Sequence, residues 1–103
     1  MGATMTQDTD VFEEAARQVV DLANRLADQY PEADLWDIAD GLLSGTTHYW
    51  LYSRQPCGDP RCEECAPINT AHEREAELLR LTRELSAQSE YYHAPTDANV
   101  GRA

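Results

Sequence analysis

The three cysteines of the chain fall in one short segment, Cys57-Gly-Asp-Pro-Arg-Cys62-Glu-Glu-Cys65. Such a cluster can grip a metal ion. Zinc takes four ligands at tetrahedral corners, most often thiolate sulfur and imidazole nitrogen. The Cys62-x-x-Cys65 spacing lets two sulfurs reach one ion from a tight turn. Cys57 lies further back, and Gly58 beside it permits a turn that a side chain would obstruct. Pro56, Pro60 and Pro67 restrict the free loop, so less entropy is lost when it closes on an ion. The fourth ligand has two candidates within the chain, with a water or a group from another chain as further options. His72 follows the loop and His48 precedes it, and His72 is preferred because small zinc modules commonly draw a ligand from a helix start. The expected metal set is Cys57, Cys62, Cys65 and His72, with zinc as the ion.

The same residues admit other chemistry. The Cys-x4-Cys-x2-Cys spacing matches three ligands of a two-iron iron–sulfur cluster, but no fourth cysteine completes it. Thiol redox work needs positive charge or a helix start near the sulfurs, whereas Glu63 and Glu64 lie between two of them and should raise their pKa values. A Cys57–His48 nucleophile pair has little chain left to build a substrate cleft. The bland alternative is three free thiols in a surface loop, since cysteine also serves as a small apolar residue. No glycine-rich phosphate loop or calcium loop is present. No catalytic residues are assigned, and the chain is not expected to be an enzyme.

Helices must position this loop. Phe12, Ala16, Val19, Ala23, Leu26 and Tyr30 recur at three- and four-residue steps, which predicts a helix over 11–30. Asp10 and Glu13 read as a capping box at its start, and Pro31 stops it. Asp34 opens a second helix over about 33–52, one that must run through Gly41 and Gly45. Two glycines four apart can admit a close neighbour. Thr70 and Glu73 form a second capping box, so a third helix starts at Ala71 after a loop over 53–69. Its apolar stripe is Ala71, Leu78, Leu81, Leu85 and Tyr92, opposite a face of mixed charge that holds Glu77, Arg80, Arg83 and Glu84. No stretch alternates with period two, so strands are not expected. The fold class is all-α: a small three-helix bundle with a Cys-rich, metal-clipped loop between helices 2 and 3. Residues 1–9 read as a disordered N-terminus, 10–93 as the helical domain, and 94–103 as a disordered tail.

The composition narrows the partners. The 103 residues carry 19 acids against 8 basic groups, a net charge of −11, and every basic group is Arg. Residues 1–50 hold most of that acidity, ten acids against two arginines. A nucleic-acid backbone or an anionic membrane needs a basic face, so direct nucleic-acid and membrane partners are not expected. No apolar run approaches a membrane span, and the start lacks the basic and apolar regions of a signal peptide, which together suggest a cytoplasmic protein. Trp36, Tyr49, Trp50 and Tyr52 are too many large rings for a small core, and they are candidates for contact with another protein. The sequence is read as a small acidic zinc-binding interaction module. It would be a regulator or inhibitor of another protein, as in transcription or phage–host conflict, and a homo-oligomer is compatible with it. Two alternatives come from other classes. One is a DNA mimic that occupies a nucleic-acid-binding protein, and the other is a redox or iron–sulfur protein.

Overall fold

The computed structural model describes residues 3–97, with side chains described from residue 10 onward. The chain is all-helical. Among the described residues there are three α-helices and one 3-10 turn, and no strand. Helix α1 is Ala3–Gln29, α2 is Leu35–Ser53 and α3 is Ala71–Gln88. The Cys-rich loop joins α2 to α3, as the sequence implies. The chain divides into two units, Met1–Trp50 and Leu51–Ala103.

In the first unit, α1 starts well before the expected boundary. Asp10 lies inside the helix, so the predicted capping box at Asp10 and Glu13 does not form. Residues 3–9 contain neither Gly nor Pro, and nothing in them breaks a helix. Arg17 pairs with Glu14 and, at 2.6 Å, with Asp21, one turn to either side. After Pro31 the chain turns, and Asp34 caps α2: its Oδ1 accepts the Trp36 amide at 2.9 Å. The helix then runs unbroken through Gly41 and Gly45. Nothing lies within 4 Å of where a side chain would begin at either glycine. Among the described residues of the first unit, none supplies the close neighbour that their spacing suggests.

In the second unit, the capping box of α3 is complete. Thr70 Oγ1 accepts the Glu73 amide and Glu73 Oε1 accepts the Thr70 amide, each at 3.1 Å. Arg80 bridges Glu77 and Glu84 at 2.6 Å along the outer face. The helix ends at Gln88, so Tyr92, expected in its apolar stripe, lies beyond it. Ser89 is extended there, and its amide bonds back to the Ser86 carbonyl. Residues 94–97 form a turn in which the Asp97 amide donates to the Ala94 carbonyl at 2.9 Å. The rest of the expected tail, 98–103, lies outside the described residues, as do residues 1–2 of the expected N-terminal segment.

No described residue is fully buried. Part of each periodic face is half-buried, whereas Phe12, Ala16 and Tyr30 of α1, Leu35 of α2 and Leu85 of α3 are exposed. The half-buried members of those faces are Val19, Ala23 and Leu26 on α1, Ile38 and Leu42 on α2, and Leu78 and Leu81 on α3. None of the described helices is long and apolar enough to cross a membrane.

Candidate metal centre

The loop is folded by local rules that its sequence spells out. Asp59-Pro60-Arg61-Cys62 is a turn in which the Cys62 amide donates to the Asp59 carbonyl at 3.1 Å. Pro60 supplies the φ that the second position requires. The Asp59 side chain reinforces the turn by accepting the Arg61 amide at 2.9 Å. Just upstream, Gly58 takes φ +94°, in the left-handed region. The space around it is open, so a side chain there would cost backbone strain and not a clash. Downstream, the Ile68 amide donates to the Cys65 carbonyl at 2.9 Å and starts the 3-10 turn Ala66–Ile68, with Pro67 in its first positions. Arg74 of α3 reaches back to the Ile68 carbonyl at 3.0 Å and the Asn69 carbonyl at 3.3 Å. The loop's exit is thereby tied to the first turns of α3.

These turns bring the three sulfurs together. The Sγ atoms of Cys57, Cys62 and Cys65 all lie within 4.8 Å of one another. None is in a disulfide; Cys62 and Cys65 are half-buried and Cys57 is exposed. A tetrahedral zinc with bonds of about 2.3 Å holds neighbouring sulfurs about 3.8 Å apart. The triangle therefore fits such an ion with at most a small contraction.

Backbone amides point at this triangle. The Cys57 amide donates to Cys65 Sγ at 3.4 Å, so the two ends of the cluster are joined before any ion is considered. The Cys65 amide, with the Cys65 and Cys57 sulfurs and then the Glu64 amide, holds the Cys62 thiol below the ordinary thiol range. The Cys65 thiol is pulled down by the Cys57 amide. The sulfurs of Cys62 and Cys57, together with partial removal from water, outweigh that pull and leave it raised. The sequence expectation that Glu63 and Glu64 raise both thiols is therefore corrected for Cys62, where the N–H dipoles decide the direction. Hydrogen bonds from amides to sulfur favour the thiolate, which is the form that binds metals.

The expected histidines are not drawn into the cluster. His72 is exposed at the second position of α3, and no histidine or carboxylate joins the sulfur triad among the described residues. Arg74 faces the loop's exit, and His72 lies about 160° from it around a helix of 3.6 residues per turn. The capping box and the Arg74 bonds fix that orientation. Spacing alone could not show it. His48 lies in the first unit, exposed on α2. Of the aromatic candidates, Trp36 is 80% exposed and Tyr49 68% in the first unit, with Trp50 half-buried. Tyr52, in the second unit, is 69% exposed.

The chain matches no protein-family model, no curated protein and no solved structure.

Proposed function

We propose that this chain is a zinc-binding protein–protein interaction module, one that regulates or inhibits another protein. The observation that carries the reading is the sulfur triangle: three thiols within 4.8 Å of one another, with a backbone amide already donating into it. Three ligands from a turn-rich loop are the usual beginnings of a structural zinc site. The ion would fix a loop that otherwise rests on a few turn hydrogen bonds, and through Arg74 it would set the loop against α3. The exposed rings of Trp36, Tyr49 and Tyr52 support the interaction half of the reading, because Trp and Tyr dominate binding hot spots. The role is binding, with no catalytic step.

Native mass spectrometry of the freshly purified full chain tests this. One zinc per chain is expected, with the Cys62→Ser variant metal-free. A wild-type chain at its bare mass, even after zinc is supplied, would remove the metal from the account. An iron–sulfur mass would reassign it.

A further inference from the structure

We infer that the sulfur cluster is a redox-controlled metal site, in which a hydroperoxide joins Cys57 to Cys65 as a disulfide and so releases the ion. The inference rests on the zinc reading above and adds regulation to it. Its basis is how near the three thiols already stand to a disulfide. Their Sγ atoms lie within 4.8 Å of one another and none is yet bonded to another. A disulfide holds its sulfurs about 2.05 Å apart, so a closing movement of less than about 3 Å is enough.

The loop favours one pair. Cys65 Sγ accepts the Cys57 amide at 3.4 Å, which sets that sulfur beside the Cys57 backbone. Cys57 is the exposed member of the triad, and nothing lies within 4 Å of where a side chain would begin at the neighbouring Gly58. Cys57 can therefore swing without displacing a packed neighbour. Cys62 is less free. Its amide is bound to the Asp59 carbonyl at 3.1 Å, in a turn that the Asp59 side chain braces through the Arg61 amide.

Exposure and charge select the oxidant. Cys57 is the sulfur that solvent reaches first, and a zinc ligand is held as thiolate, the nucleophilic form. Between Cys57 and Cys65 stand Asp59, Glu63 and Glu64 against the single cation Arg61. An anionic oxidant such as glutathione disulfide is repelled by that set, whereas hydrogen peroxide is neutral. The Cys57 thiolate attacks one peroxide oxygen. An S–O bond forms, the O–O bond breaks, and hydroxide leaves with the electron pair. The Cys65 thiolate then attacks the Cys57 sulfur, the S–S bond forms, and the second oxygen leaves as hydroxide. Two protons from water or buffer turn the two hydroxides into water. Two electrons have passed from the sulfurs to the peroxide. The zinc keeps its charge but loses two of its three sulfurs.

The test is hydrogen peroxide added to the zinc-loaded full chain beside a chromogenic zinc chelator, with glutathione disulfide in a parallel arm. Native mass spectrometry first confirms the loading. The expected result is stoichiometric zinc release, a chain mass lower by two hydrogens, and a peptide map that joins Cys57 to Cys65 and leaves Cys62 open to alkylation. Thiol reductant and zinc should then restore the loaded mass, and glutathione disulfide should act more slowly than peroxide. In the Cys62→Ser chain, peroxide should still join Cys57 to Cys65. Zinc retained after peroxide, a map that joins Cys62, a disulfide-linked dimer, sulfinic or sulfonic acids in place of the disulfide, faster release by glutathione disulfide, or an unlinked Cys62→Ser chain would each overturn the switch and leave the loaded metal site standing. A chain that never takes up zinc would bring down the zinc reading and this inference with it.

Discussion

The backbone amide of Cys57 donates to the Sγ of Cys65, 3.4 Å away, and so closes the Cys-rich loop from one end to the other. Sequence spacing could not reveal that bond, because it depends on the turns between the two residues. It gives the metal-free loop some order of its own. In Cys65→Ala the acceptor is gone, and the Cys57 amide should exchange with deuterium faster even without metal. The same variant, or Cys62→Ser, should bind zinc more than about 100-fold more weakly, since losing a group that merely orients a ligand already costs 10–100-fold. Unchanged exchange at Cys57 would mean that the bond does not order the free loop.

Gly58 is the loop's conformational pivot, with φ +94°. Gly58→Ala should destabilise the second unit by about 1–2 kcal/mol, the cost of a left-handed L-residue. The open surroundings exclude a steric contribution. Zinc affinity should fall with it. Urea titrations of the zinc-loaded and zinc-free variant would measure both. A neutral effect would show that the loop takes another conformation in solution.

Gly41 and Gly45 pull the other way. Both sit inside α2 with open space around them. Gly45→Ala should raise stability by about 1 kcal/mol through helix propensity alone. The check is the urea midpoint followed by circular dichroism. A loss of stability would mean that something packs closely there in solution.

The outer face of α3 supplies a pH signature. The Arg80 hydrogen bond, and less so its charge, holds the Glu77 carboxyl below the usual glutamate range. In Arg80→Ala the Glu77 titration followed by NMR should move up toward that range. A carboxyl lowered by folding adds stability above its unfolded pKa and loses it as pH falls through the folded value. The small stability gap between wild type and variant should therefore be present at neutral pH and vanish in acid. A gap that persists in strong acid would point to lost packing of the Arg80 stem instead.

Much of this was legible in the sequence because its cause is local. Pro31, Asp34 and the Thr70–Glu73 box act within one turn of where they stand, and they mark the C-terminal end of α1 and the starts of α2 and α3. The start of α1 was misplaced because Asp10 resembles a cap, yet nothing before it interrupts a helix. The three cysteines announced themselves by type and spacing. The fourth ligand did not, since whether His72 faces the loop depends on its angle around α3, which the Arg74 bonds set. Tyr92 was read into α3 by period alone, whereas the helix stops at Gln88.

On this reading an ion held by Cys57, Cys62 and Cys65 fixes the loop between α2 and α3. Thermal melting of the full chain before and after a strong chelator tests it most directly. An ion at about 100 times its Kd contributes about 2.7 kcal/mol. Its removal should lower the midpoint by roughly 10 °C or more in a domain of this size. Added zinc should restore the midpoint, and Cys62→Ser should respond to neither treatment. A wild-type melting curve that the chelator leaves unmoved would mean that no ion holds the loop.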